Sequence, residues 1–309
     1  MTHHRRMLLD TASLYFRAFH GVPDTVRAPD GTPVNAVRGL LDMIAKLVAE
    51  FEPTELVACW DDSWRPKWRV ELIPSYKAQR VARETDAGSI ETVPAELEAQ
   101  IPLIREVLGL LDIPVVGAAD HEADDVIGTL ATRSRMPVDI VTGDRDLFQL
   151  IDDARNVRVI YTGRGMSHLE VLDDAALEAK QGVSPSRYAD YAVMRGDPSD
   201  GLPGVAGIGE KSAATLLRDY GDLDGIVAAA DDPDSALSAA ARGKITAARD
   251  YLKVAPRVVE VVRDLDLPEF DGRIRETTQA TALEELATTW GLSSSLARAQ
   301  KALDAAARP

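Results

Sequence analysis

At 309 residues, with 50 acidic against 35 basic side chains, the chain carries a net charge of −15. That balance argues against a protein that coats nucleic acid generally, and a single cysteine, Cys59, excludes an intrachain disulfide framework or thiolate metal site. No stretch approaches a membrane span and residues 1–7 are too short and polar for a signal peptide, so the expectation is a soluble cytoplasmic protein with no membrane partner.

Arg6–Asp10 is a short apolar strand ending in an aspartate, and residues 11–17 turn into a helix. Asp10 either caps that helix or aims a carboxylate at a sheet edge. Arg17 lies two turns along, roughly 10 Å away, within reach of a ligand's phosphate. Val37, Leu40, Leu41, Ile44, Leu47, Val48 and Phe51 recur at helical spacing, which predicts an amphipathic core helix over Ala36–Phe51. Glu55–Trp60 is the next strand, ended by Asp61-Asp62. Asp61 directly follows the apolar run and is the ligand candidate; Asp62 is assigned to solvent.

The stretch from Trp64 to Arg83 changes character. Arg65, Lys67, Arg69, Lys77, Arg80 and Arg83 stand against one acid, Glu71, with Trp64, Trp68 and Tyr76 interleaved. Basic residues among aromatics suit a phosphate backbone and its bases. The polar residues 85–93 suggest a mobile lid or arch. Pro94–Leu111 reads as a helix with Leu97, Ile101, Ile104, Leu108 and Leu111 on one face.

Leu111–Val116 and Val138–Val141 look like buried strands of a parallel sheet. Glu122, Asp124 and Asp125 follow the first; Asp144 and Asp146 follow the second. In such sheets ligands bind at the carboxyl ends of the strands. Clustered carboxylates there repel one another unless a cation holds them. A hard divalent ion, magnesium or manganese, is the economical partner. Val157–Tyr161 and a short strand near His168–Val171 complete the alternation, which predicts an α/β fold with a mostly parallel sheet.

Beyond about Gln181 the pattern turns helical. Ser184–Arg195 is one helix, and Asp197 and Asp200 follow it. The turn Gly207-Ile-Gly209-Glu-Lys211 opens a helix running to Tyr220. Its glycines let backbone N–H groups approach a phosphate at a helix N-terminus, although the Walker spacing is absent. Residues 222–309 are alanine-rich and helical in pattern.

Taken in order, these residues resemble the flap endonuclease family, the 5′-nucleases that also form the N-terminal domain of bacterial DNA polymerase I. The resemblance runs over about residues 6–255. It rests on Asp10 with Arg17, Trp60-Asp61, Tyr76-Lys77, Glu122-Ala-Asp124-Asp125, Thr142-Gly-Asp144-Arg-Asp146, and Gly196–Asp200 leading into Gly207–Lys211. Asp61-Asp62 leaves a one-residue ambiguity in the alignment. A length of 309 leaves no room for a polymerase domain, so a stand-alone nuclease is expected.

The resemblance implies a PIN-like α/β nuclease unit over 1–180, with a helical arch at about 64–93. It implies a helical region over 181–309 holding a helix-three-turn-helix DNA-binding element at about 184–255 and C-terminal helices. The implied activity is structure-specific 5′-flap endonuclease and 5′-3′ exonuclease. The substrates are 5′ flaps, nicked or gapped duplexes and 5′ ends of DNA, with RNA primers in RNA–DNA hybrids, during replication and repair. On this likeness two or more Mg2+ or Mn2+ ions are held by Asp10, Asp61, Glu122, Asp124, Asp125, Asp144, Asp146, Asp197 and Asp200. Lys77 and Arg17 bind the scissile phosphate. Tyr76, Arg80 and Arg83 meet the single-stranded side. Gly207, Gly209 and Lys211 grip the duplex, with a K+ ion on the carbonyls of that turn. No clamp-binding peptide is legible and protein partners are unknown. A ribonuclease of related fold would lack the arch and glycine turn; a non-catalytic DNA-structure binder would lack acids.

Overall fold

The computed structural model describes residues 4–85 and 88–308. Eight strands occur among them: β1 Arg6–Asp10, β2 Glu55–Cys59, β3 Val81–Thr85, β4 Gly88–Glu91, β5 Val115–Val116, β6 Val138–Thr142, β7 Val157–Tyr161 and β8 Glu170–Leu172. Six form one sheet in the order β5-β2-β1-β6-β7-β8. All its pairings are parallel except β7 with β8.

Register aligns the strand ends. Asp10 pairs with Cys59, and Leu9 with Val141. Asp10, Asp61 and the turn after Thr142 therefore leave the sheet at the same carboxyl edge. Successive β1 side chains alternate between faces. Leu8 joins one buried cluster with Val57, Ile140 and Val159, which continues into Tyr188, Leu216 and Val258 of the helical region. Met7 and Leu9 join the other, with Leu41, Ile44, Val141 and Ile160.

Two expected helices are interrupted, Pro94–Leu111 into Ala95–Glu98 and Ile101–Leu110, and Ser184–Arg195 into the 3-10 turn Pro185–Arg187 and the helix Tyr188–Arg195. Four other elements differ from expectation. Only Val115–Val116 pairs as a strand in the run from Leu111, because Pro114 has no N–H to give and sits at the sheet edge. The strand expected near His168–Val171 lies at Glu170–Leu172. In the arch segment, 64–93, only Lys67–Leu72 and Ala78–Arg80 are helical among the described residues; Val81–Thr85 pairs antiparallel with Gly88–Glu91, and 86–87 lie outside the described residues. Trp64 donates from Nε1 to the Ser89 carbonyl at 3.0 Å, and Arg65 Nη1 donates to Glu84 at 3.0 Å and Ser89 Oγ at 2.8 Å, which pins the hairpin to its base.

The fourth difference is at the C-terminus. Helices continue to Arg249–Val259, but residues 261–279 hold no helix. This segment crosses back to β2, where Leu56 N–H donates to the Gly272 carbonyl at 2.8 Å. The last two helices, Ala280–Trp290 and Ser293–Ala306, then bury Leu283, Leu296 and Leu303 in the second cluster, the latter helix packed along the helix Asn35–Phe51. No helix among the described residues is long and apolar enough to cross a membrane.

Candidate active site

A cleft of about 1210 Å³ opens at the carboxyl edge of the sheet. Asp10, Asp61, Glu122, Asp124 and Asp144 line it, together with Arg17, Lys77 and Arg80. Asp10 performs both roles open to it in the sequence. Its Oδ1 accepts from Ser13 N at 3.2 Å, capping the helix Thr11–Gly21, and its Oδ2 accepts from Thr142 Oγ1 at 2.6 Å. Thr142 Oγ1 also accepts from Asp144 N at 2.8 Å, so one hydroxyl ties the ends of β1 and β6 together.

Asp61 turns inward and accepts from Ala123 N at 2.7 Å. Asp62 turns out: its side chain is 41% exposed, with Arg105 3.5 Å away. Glu122, which N-caps the helix Ala123–Arg133, is surrounded by donors. Arg69 Nη1 reaches it at 2.6 Å and the Tyr76 hydroxyl at 2.7 Å, and Lys77 Nζ forms a short ion pair with it.

Burial dominates the electrostatics. It pushes the Asp10 carboxyl up to about 7, with Asp61 and Asp144 adding repulsion against the Thr142 hydrogen bond. Burial also raises Asp61, and raises Asp124 and Asp146 well above the usual carboxylate range, with Asp144 repelling both of the latter. Asp200 is pushed up to about 6 by burial, against the pull of Lys77. Burial alone would lower the Lys77 ammonium, but Glu122 together with Tyr76, Asp200 and Asp124 outweighs it and raises it well above its ordinary value.

The second acid pair joins from the helical region. Asp197 accepts from Ser199 N at 2.8 Å and Asp200 from Arg80 Nη2 at 2.7 Å. The Lys77 N–H donates to the Asp200 carbonyl at 2.9 Å. Gly201 makes this junction possible. At φ +69° a Cβ there would stand 2.0 Å from the Ser75 carbonyl oxygen.

Three expected site residues are placed differently. Tyr76 is 4% exposed, its hydroxyl on Glu122, so its ring is closed to a base. The aromatic body is worth more buried, and the polar tip finds a partner there. Asp125 is fully buried and faces away from the cleft, both oxygens bonded to Arg69. Arg80 is half-buried against Asp200, while Arg83 is exposed on β3. Gly207, Gly209 and Lys211 are exposed together at the start of the helix Glu210–Tyr220. The Gly207 carbonyl, expected to face a potassium ion, accepts from Lys244 Nζ at 2.8 Å.

Sequence reasoning placed Thr142 in a motif without giving it a role, and missed Gln149, Lys244 and the inward role of Arg69.

The chemistry of the acids suits a hard cation. Asp146 Oδ1 is buried with no hydrogen-bond partner among the described residues, and Asp144, Asp200 and Asp197 all repel its charge, a set of oxygen donors of the kind such an ion takes. As they stand, no three of the described acids are grouped tightly enough to clasp one ion. In the cleft lining, buried Arg17 Nε is likewise without a partner among the described residues.

Comparison with known proteins accounts for both halves of the chain. The family "5′-3′ exonuclease, N-terminal resolvase-like domain" matches residues 5–182, and "5′-3′ exonuclease, C-terminal SAM fold" matches 183–282. The 5′-3′ exonuclease of Streptomyces coelicolor is 60% identical over 294 residues, covering 94% of this chain and 98% of that protein. DNA polymerase I of Mycobacterium leprae is 40% identical over 277 residues, covering 87% of this chain but 28% of the polymerase. The flap endonuclease of bacteriophage T5, solved as a pseudo-enzyme–product complex with DNA and metal ions, shares the fold at a TM-score of 0.60 and 16% identity, over 97% of this chain and 99% of that one. With a PIN-like α/β nuclease core and both family halves matched in order, this chain belongs to the 5′-3′ exonuclease family.

Proposed function

We propose that the chain is a divalent-metal-dependent DNA nuclease that cuts 5′ flaps and trims 5′ ends, including RNA primers, in replication and repair. The observation that carries this reading is the gathering of buried, mutually repelling acids at one cleft that Arg17 and Lys77 also line. Asp10, Asp61, Glu122, Asp124 and Asp144 would hold Mg2+ or Mn2+ from the sheet side, and Asp146, Asp197 and Asp200 from the other. Two such ions, when bound, supply an activated water and stabilise the leaving oxygen. We also propose a division near residue 180, with the duplex-gripping element at about 184–255.

The protein's own groups do the rest. Arg17 Nε, buried at the cleft with no partner among the described residues, is a ready donor to a phosphate oxygen. Lys77, kept protonated by Glu122, needs only a short swing to bring its charge to the phosphate as the transition state forms. Arg83 and the hairpin lie on the side assigned to single strand, and Arg80 is available there once it leaves Asp200. Lys211 and the Gly207–Gly209 backbone would contact duplex phosphates without reading bases. A potassium ion at that turn would compete with Lys244 for the Gly207 carbonyl.

The test is cleavage of an end-labelled 5′-flap duplex with Mg2+, with Mn2+ and with chelator. Products near the flap junction that require the ion are expected. Cleavage that persists in chelator, or begins at 3′ ends, would refute the reading.

A further inference from the structure

We infer that Arg69 and Asp125 are a positioning pair for Glu122 and Lys77, and that Asp125 is a partner of Arg69 rather than a metal ligand. The inference rests on the two-metal reading above. Asp124 and Asp125 are neighbours on one helix, so their side chains point about 100° apart. Asp124 lines the cleft; Asp125 turns into the protein and is 0% exposed.

There its lone pairs are used up. Oδ2 accepts from Arg69 Nη1 at 2.8 Å and from Glu122 N at 3.2 Å. Oδ1 accepts from Arg69 Nη2 at 2.7 Å and from Val262 N at 2.9 Å. A carboxylate offers about four acceptor sites, so a metal ion here would displace an existing bond.

Arg69, 2% exposed, spends its other N–H groups on two destinations. Nη1 also reaches Glu122 Oε2 at 2.6 Å, and Nε donates to the Val258 carbonyl at 3.1 Å, in the last turn of the helix Arg249–Val259. Glu122 then holds the Tyr76 hydroxyl and the Lys77 ammonium. The end of the helical region is thus linked, through two buried charges, to the lysine assigned to the phosphate. Gln149 makes a parallel link. It donates to the carbonyls of Val259 at 3.0 Å and Asp146 at 2.8 Å, and accepts from Val261 N at 3.1 Å. Seating residues 258–262 therefore sets both acid loops.

The test separates ligand from positioner. Mn2+ binding without DNA is counted by electron paramagnetic resonance for wild type, Asp124→Asn, Asp125→Asn and Arg69→Lys. Asp125→Asn should bind as many ions as wild type, whereas Asp124→Asn should lose an ion or about tenfold in affinity. Single-turnover cleavage should fall about 10- to 100-fold in Asp125→Asn, and no further when Arg69→Gln is added, because the two residues act as one unit. Arg69→Lys keeps the buried charge but not the fork. It should retain all its ions while losing rate, and it carries the test if Asp125→Asn does not fold. An ion lost from Asp125→Asn, or from Arg69→Lys in its place, overturns the inference, as do rate losses that multiply. A wild type that binds no Mn2+ sinks the two-metal reading instead.

Discussion

Removing the metal should make this protein less stable as pH rises, opposite to the usual behaviour of paired carboxylates. The Asp10 carboxyl goes from an ordinary 3.8 to about 7 on folding, and Asp200 from 3.8 to about 6. Between those limits the folded state holds protons that the unfolded state has released, so stability falls with pH. At 1.36 kcal/mol per unit, the span from pH 5 to 8 costs roughly 3 kcal/mol at Asp10 and roughly 1 kcal/mol at Asp200. At about 2–4 °C per kcal/mol, Tm in chelator should drop on the order of 10 °C over that span. Saturating Mg2+ or Mn2+ at pH 8 should recover it, since the ion binds only the folded state. Asp10→Asn should flatten most of the slope. Differential scanning calorimetry at fixed ionic strength measures all of this. A Tm in chelator that is constant or rises from pH 5 to 8, or an unchanged slope in Asp10→Asn, would refute the reasoning.

Other substitutions test the site's geometry. Tyr76→Phe removes the hydroxyl on Glu122 and should cost roughly 1–3 kcal/mol in a denaturant melt; a ring that only stacks on bases would leave stability unchanged. Asp61→Asn should abolish most cleavage while Asp62→Asn, out at Arg105, stays near wild type in the flap assay. Equal losses would mean the inward and outward assignments are mistaken. Gly201→Ala should cost roughly 1–3 kcal/mol for its left-handed backbone alone. The 2.0 Å approach to Ser75 should then expose the arch base to protease. A digestion pattern like wild type would count against that junction.

The sheet and its acids were legible because a buried strand that stops at a carboxylate is visible in one dimension: Asp10, Asp61 and Asp144 each follow an apolar run. What resisted reading was direction. Nothing in Glu-Ala-Asp-Asp says that Asp124 faces the cleft and Asp125 the interior, because that depends on a guanidinium from residue 69. Arg69 and Tyr76 sit in a basic, aromatic stretch and read as DNA-facing; only the fold brings them under Glu122. The hairpin at 81–91 carries alternation too short to outweigh its neighbours. The return of residues 280–306 to the helix Asn35–Phe51 is set by an extended crossover, and alanine-rich periodicity cannot say which face a helix will meet.

The two lysines assigned to phosphates should separate in their salt dependence. Lys211 is exposed and no ion pair is made to it among the described residues, so it meets DNA carrying its full charge. Each such contact contributes about 0.9 to the slope of log affinity against log salt on duplex DNA. Lys77 is already paired with Glu122. To reach a phosphate it leaves one anion for another, and the carboxylate it abandons takes up a cation. The net release of ions is then near zero. Lys211→Ala should therefore lower the slope by about 0.9, weaken binding, and recover its single-turnover rate at higher enzyme. Lys77→Ala should leave the slope nearly unchanged and stay slow at saturating enzyme, because its charge is needed where the phosphate reacts. Gel shifts across a salt series and rapid-quench cleavage measure the two quantities separately. If Lys77→Ala lowers the slope as much as Lys211→Ala and is rescued as fully by more enzyme, Lys77 is a tether, and its pairing with Glu122 has no part in the chemistry.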